Sequence, residues 1–281
     1  VLSGSVRGDA SNTFGVATND KWTPLWSAGF GWNISDEKFY KFDFLSYLKL
    51  RATFGYSGYV DPSKTAVTTI KYSSTSPYIQ SPITDVERFY NPTLRWEKVG
   101  MSNIGADFRL VGNRISGSIE YFRKKSTDLY GSVPLDLTVG LRTATITKNV
   151  AEIKGNGMDI ELNSDNLKGR FQWTTNLNLS LYKDEVIKSY MESYVGNNYV
   201  GGGMFAVEGK PLYSLFAYKW LGLNPSNGNP IGYINGHKSE DYTAITGDST
   251  QLSDLVYKGS LIPTLYGSMG NTFRWKNVSF T

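Results

Sequence analysis

The sequence predicts an all-β chain, a fragment of an antiparallel transmembrane β-barrel with about nine to ten strands, short periplasmic turns and long extracellular loops. Three observations predict it. Arg170–Tyr182 alternates without a break: Phe171, Trp173, Thr175, Leu177, Leu179 and Leu181 share one face, and Gln172, Thr174, Asn176, Asn178, Ser180 and Tyr182 the other. A period of two belongs to a β-strand with one apolar and one polar face. The connections between segments of this kind run long, short, long, short along the chain, a sorting that outer-membrane barrels show and soluble sandwiches do not. The apolar faces of the strong strands carry no charge at mid-strand, where one Lys or Arg costs about 2–4 kcal/mol at the bilayer midplane.

The elements follow in order. Val1–Gly8 reads as a short strand, and Asp9–Thr23 as turn-rich. Pro24–Ile34 sets Trp26, Ala28, Phe30, Trp32 and Ile34 on one face. Ser35–Tyr47 is a short connector in which Ser35 is offered as the N-cap of a helical turn. Leu48–Gly58 is the third strand, with Leu48, Leu50, Ala52, Phe54 and Tyr56 together. Tyr59 to Leu94 is polar and marked by Pro62, Pro77, Pro82 and Pro92, hence a long loop. Arg95–Phe108 and Arg114–Lys124 form a hairpin closed by Val111-Gly112-Asn113. Lys125–Val150 is a second long loop, and Ala151–Asn163 is a strand that Ser164–Gly169 turns into Arg170–Tyr182. Lys183 to Pro263 is the longest irregular stretch, punctuated by glycine and asparagine. Within it Leu212–Leu223 is apolar, and parity assigns it to the extracellular excursion, alone or as half of a strand pair. Thr264–Trp275 alternates, and Lys276-Asn277 turns into Val278–Thr281.

Composition narrows the function. Among 281 residues 40% are hydrophobic and 14% aromatic, with 19 Tyr, 7 Trp and 29 Gly, as a turn-rich β protein requires. No apolar run approaches the ~18 residues of a spanning helix, and barrel strands barely register on hydropathy. There is no cysteine, so neither a disulfide framework nor thiolate chemistry is available. The net charge of +4 is dispersed, which gives no nucleic-acid surface. The chain opens at Val1 inside an alternating run, with no Met or signal peptide, and stops one step into another. Both ends therefore read as cut from a longer polypeptide.

The barrel reading assigns the faces. Lipid-facing positions are Trp26, Phe30, Trp32, Leu50, Phe54, Ile119, Ile160, Trp173, Leu177 and Leu179. The lumen side takes Asn176, Asn178, Asp159 and Glu161, together with Asp107 and Glu120. Arg123, Lys124 and Lys125 cluster at the outer rim, where anionic lipid head groups lie.

RGDASNTFG, WSAGFGWNISDEKF, LKLRATFGYSG, NPTLRWEK, NIGADF, NRISGSIEYFRKKSTDL, KGNGMDIEL, VEGKPLYSLFAYK and GNTFRWKN stand in this order over nearly the whole chain. Together they resemble the barrel of SusC/RagA-type TonB-dependent outer-membrane receptors. The resemblance implies a 22-stranded barrel with an internal plug, a SusD-type lid lipoprotein, TonB energy and oligosaccharide or peptide cargo. Residues 1–281 match the C-terminal part of such a barrel; signal peptide, TonB box, plug, early strands and final strand lie outside it. Many members carry a calcium-loop-like segment after the Y-K strand. Here NPSNGNPIGYINGHKSEDY lacks the D-x-D-x-D-G spacing, so no metal is expected.

No catalytic residue is nominated. His237 is the one histidine, it lies in a loop, and there is no G-x-S-x-G. The adjacent pairs Asp36/Glu37 and Glu240/Asp241 point apart in an extended chain, unlike the two facing carboxyls of a glycosidase. No cofactor is expected. If the cargo is sugar or peptide, tyrosines in long loops supply a stacking face and a hydroxyl, which singles out Tyr78, Tyr90, Tyr199 and Tyr233. Two other readings stay open. A soluble secreted β-sandwich, a carbohydrate-binding module or adhesin, would use the same apolar faces as its core. A barrel enzyme would need a triad in a loop or the lumen.

Overall fold

The computed structural model describes residues 1–11, 22–61, 67–110, 112–136, 138, 145–190, 193, 195–200 and 205–281, without the Arg88 side chain. Parts of several expected features fall outside these residues: the turn-rich stretch after Asp9, the loop at Pro62, Val111 of the predicted turn, and the glycine run at 201–203.

Nine strands form one antiparallel sheet in the order β1-β2-β3-β6-β7-β8-β9-β14-β15. In chain order the elements begin with β1 (Leu2–Ala10), β2 (Trp22–Asn33), β3 (Leu45–Tyr59), β4 (Thr69–Thr75), β5 (Pro82–Arg88), β6 (Glu97–Leu110) and β7 (Ile115–Pro134). There follow β8 (Thr145–Leu167), β9 (Phe171–Lys188), β10 (Ser214–Tyr218), β11 (Gly232–Ile234), β12 (His237–Ser239), the short helix α1 (Tyr242–Thr246), β13 (Leu255–Ser260), β14 (Leu265–Trp275) and β15 (Val278–Phe280). Three small pairs, β4–β5, β10–β13 and β11–β12, stand outside the main sheet.

Because neighbours are antiparallel, every second connection lies at the same end. One end carries 34–44, the link from Leu110 to Ile115, 168–170 and Lys276-Asn277. The other carries 11–21, the stretch holding β4–β5, 135–144, and the excursion from β9 to β14. The expected parity holds at the last three tight connections, whereas 34–44 is as long as 11–21 and longer than 135–144; Leu212–Leu223 contains β10, half of a strand pair within the largest excursion. At the tight end Gly112 and Asn113 take φ of 62° and 65°, and Arg114 donates its amide to Leu110 at 3.1 Å. That doubly left-handed backbone suits Gly and Asn, the residues such hairpins select.

Four expectations need correction. Lys125–Val150 is largely strand: β7 runs 20 residues and β8 23, beyond the ~9–11 that a bilayer requires. The pairing of β7 with β8 continues past Arg114–Lys124 and Ala151–Asn163 as far as Pro134 and Thr145. Tyr59–Leu94 holds the β4–β5 hairpin. The turn into β9 is Lys168–Arg170, because Ser164–Leu167 still belongs to β8. Ser35 does not cap; it lies inside a 3-10 turn Ile34–Asp36 whose N-cap residue is Asn33.

Register sorts the side chains into two chemistries. Leu2, Phe30, Ala52, Ile104, Tyr121, Met158, Leu181 and Leu265 are successive cross-strand partners from β1 to β14. The next row is Trp32, Leu50, Ala106, Ile119, Ile160, Leu179 and Gly267. All ten residues assigned to the apolar side therefore share one face, with Phe54, Trp26, Leu177 and Trp173 in flanking rows. This face is open: Ile104 is 64% and Met269 67% exposed, and no second sheet covers it among the described residues.

Candidate functional site

The opposite face is built from the residues between those rows. Gly31, Arg51, Gly105, Glu120, Asp159 and Ser180 are register neighbours, as are Lys49, Asp107, Ser118, Glu161 and Asn178. Asn176, Asn178, Asp159 and Glu161 thus lie together on the polar face. An amide chain links three of them: Asn178 donates to Asn176 at 3.0 Å, Asn176 to Asn163 at 2.6 Å, and Asn163 to Glu161 at 3.1 Å. Arg51 on β3 reaches Asp107 at 2.8 Å and Glu120 at 2.6 Å, while Asn103 donates to the other Glu120 oxygen at 2.9 Å. The guanidinium crosses Gly105, where a Cβ would lie 3.5 Å from the Arg51 Nη2 and 3.2 Å from Glu120. The polar wall is hydrogen-bonded within itself and remains partly open to solvent, which suits a hydrated surface.

Two motifs tie the long-loop end of the sheet together. Asn91–Trp96, the N-P-T-L-R-W run, folds against β7 and β8. Asn91 donates to the Thr147 carbonyl at 2.6 Å, Asn149 and the Arg95 backbone exchange hydrogen bonds at 3.0 and 2.7 Å, and Arg95 pairs with Asp128. Leu94 is 0% exposed and packs with Trp96, Val60 and Tyr130. The V-E-G-K-P run folds onto the end of β9: Val186 exchanges backbone hydrogen bonds of 2.9 Å with Gly209 and Lys210. There Asp184 accepts the Leu212 amide at 2.8 Å.

Between these two welds lies a cavity of about 420 Å³, its wall mostly apolar, lined by Leu129, Tyr130, Ala151, Ile153, Ala206 and Leu212 with the Glu97 carboxylate among them. Asp128 at φ 60° sits in the β7 bulge, which turns Tyr130 toward Glu97 and Leu94. The Tyr130 amide donates to Glu97 at 2.8 Å. Burial raises the Glu97 carboxyl above the ordinary carboxylate range, against the pull of that amide, and the charge of Asp61 adds to the rise. A raised carboxyl contributes stability present below its unfolded pKa and lost as pH rises through the folded one. The protection factor of the Tyr130 amide is therefore expected to fall as pH climbs through that window, and Glu97→Gln, which keeps an acceptor, to flatten the dependence. An unchanged pH dependence in the variant would refute this.

The four loop tyrosines fall elsewhere. Tyr78 is 93% exposed near the tip of the β4–β5 hairpin, and Tyr90 is exposed, its amide donated to Thr68. Tyr199 is 3% exposed, packed on Phe205 and Phe216, with its hydroxyl accepting the Ser193 amide. Tyr233 holds the Lys219 ammonium 4.1 Å from its ring centre. None lines the cavity, where Tyr130 and Tyr213 stand instead. Choosing tyrosines by loop position missed them.

Asn224, Asn227 and Asn229 all turn their amides to the Glu240 carboxylate, the latter two at 3.0 and 3.1 Å. These donors hold Glu240 below its usual range. Among the described residues no group of three or more His, Cys, Asp or Glu converges as a metal site. His237 is exposed in β12.

An all-antiparallel sheet with an uncovered apolar face, a polar face and its long excursions at one end defines the wall of a β-barrel of the outer-membrane type. A family model described as TonB dependent receptor-like, beta-barrel, matches residues 1–277, and the chain belongs to that family. TonB-dependent receptor SusC of Bacteroides thetaiotaomicron is 26% identical over 99% of this chain and 28% of its own length. TonB-dependent receptor P39 of Formosa agariphila is 28% identical over 79% of this chain and 21% of its own. The solved RagAB peptide transporter superposes with a TM-score of 0.79 at 18% identity over 99% of this chain and 30% of that one, a likeness of fold. The chain thus spans less than a third of the length of these relatives.

Proposed function

We propose that the chain forms part of the wall and extracellular loops of an outer-membrane importer. In this reading the apolar face meets lipid and the Asn176–Asn178–Asp159–Glu161 face lines a hydrated passage. The excursions at the long-loop end receive oligosaccharide or peptide cargo under a SusD-like lid lipoprotein. TonB supplies the energy through parts of the protein beyond these residues. The observation that carries the reading is the uncovered apolar belt. Its lower aromatic edge moves from Trp32 on β2 to Phe171 and Trp275 on β9 and β14, about eight residues along the register, or roughly 26 Å. Those strands lie roughly 24–29 Å from β2 across the sheet. A belt that stays level therefore needs strands tilted by about 45°, close to the 35–45° of outer-membrane barrels.

The apolar wall of the Glu97 cavity suits a peptide side chain better than a polyhydroxylated sugar, whose hydroxyls need partners there. The test uses the full-length parent. Purified in detergent, it should retain peptides from a protein hydrolysate in preference to neutral oligosaccharides, as read by mass spectrometry. If it stays monodisperse in buffer after detergent is removed, the membrane reading is wrong.

A further inference from the structure

Arg123, Asn156 and Lys183 are direct cross-strand neighbours on β7, β8 and β9, on the apolar face, one row beyond Tyr121, Met158 and Leu181 toward the long loops. All three are exposed. The next row outward pairs Lys125 with Lys154. Lys124, expected in this cluster, lies on the opposite face opposite Gly155, since adjacent strand residues alternate. Glu152 and Glu185 complete the patch and engage Lys125 at 2.7 Å and Lys154 at 3.0 Å. Among the described residues no carboxylate makes an ion pair with Arg123 or Lys183.

We propose that Arg123, Asn156 and Lys183, backed by Lys125 and Lys154, bind the phosphate of an anionic lipid in the leaflet on the long-loop side. The proposal rests on the lipid-facing reading of the belt. Arg123 and Lys183 stand two strands apart, roughly 10 Å, and the second basic row lies roughly 7 Å above. That is the footprint of a phosphorylated head group whose acyl chains descend over Tyr121, Met158 and Leu181. Arg offers a fork that matches phosphate oxygens, Lys a point charge, and Asn156 an amide donor between them. A soluble anion has no such apolar row to lie on, and this selects a lipid.

The experiment places the full-length protein in nanodiscs of phosphatidylcholine and phosphatidylglycerol in equal parts, and reads lipid preference by native mass spectrometry of the ejected complex. The wild type should retain phosphatidylglycerol in excess. Arg123→Gln and Lys183→Gln should each reduce that preference about fivefold, as expected for one basic residue near a charged head group. Lys124→Gln should leave it unchanged. Equal loss from Lys124→Gln, no loss from the first two, or full displacement by inorganic phosphate at matched ionic strength would each overturn the proposal. Tryptophan quenching by brominated phosphatidylcholine is measured on the same samples. Quenching without lipid preference refutes the phosphate site alone, whereas absent quenching refutes the lipid-facing belt beneath it.

Discussion

Ile160→Arg is expected to destabilise the protein by about 2–4 kcal/mol in a lipid bilayer, the cost of a basic residue near the midplane of a lipid-exposed strand face. Ile160 lies in the belt between Ile119 on β7 and Leu179 on β9. Among the described residues the nearest cationic row on this face is Arg123–Asn156–Lys183, four residues or roughly 13 Å along β8 from Ile160. Glu161→Arg places the same charge one residue away on the polar face. It forfeits the 3.1 Å hydrogen bond from Asn163 but leaves the guanidinium in water beside Asn178. Its cost should be about 1 kcal/mol or less, the value of one exposed hydrogen bond. Urea unfolding of the full-length parent in phospholipid vesicles separates the two. Equal losses for Ile160→Arg and Glu161→Arg would show that the alternation does not divide lipid from water.

That contrast is also why so much of the sheet is legible in the sequence. Where one face is apolar and the other wet, each residue is forced to its side, and a slip by one would put Asp159 where Ile160 is. Trp26, Phe30, Leu50, Ile119 and Leu177 could be assigned to a face from spacing alone. Beyond the belt the constraint vanishes. Ser126–Pro134 and Thr145–Val150 have solvent or loops on both sides, so their strands show no alternation, and the bulge at Asp128 shifts the phase again. Hence Lys125–Val150 read as a loop. Arg123, Lys124 and Lys125 form one cluster in sequence, but strand parity sends Lys124 to the opposite face. The cavity was out of reach for a different reason. Glu97, Tyr130 and Leu212 meet only through pairings far apart in the chain, and no local pattern records which excursion folds over which wall.

Leu94→Ala tests how that end is held. Leu94 is fully buried in a small cluster with Trp96, Val60 and Tyr130, and truncating a buried leucine costs about 2–5 kcal/mol, more where the void cannot collapse. Here it cannot collapse freely. The segment is fixed on both sides by Asn91 on Thr147, by the two-way Asn149–Arg95 pairing and by Arg95 on Asp128. The loss should be local, because the cluster stands above the belt and the β7–β8 ladder below it is untouched. Hydrogen exchange should therefore show reduced protection at Leu94, Tyr130 and Arg95, and unchanged protection at Ile119 and Ile160. Since Tyr130 is a wall of the Glu97 cavity, bound cargo should be lost in the same variant while the protein stays folded in the membrane. Thr93→Ala, which removes only the exposed side of an Asn91 turn, should keep both protection and cargo. If Leu94→Ala retains full protection at Tyr130, the cluster does not support the cavity. If protection falls but cargo binding persists, the cavity is not where cargo is held.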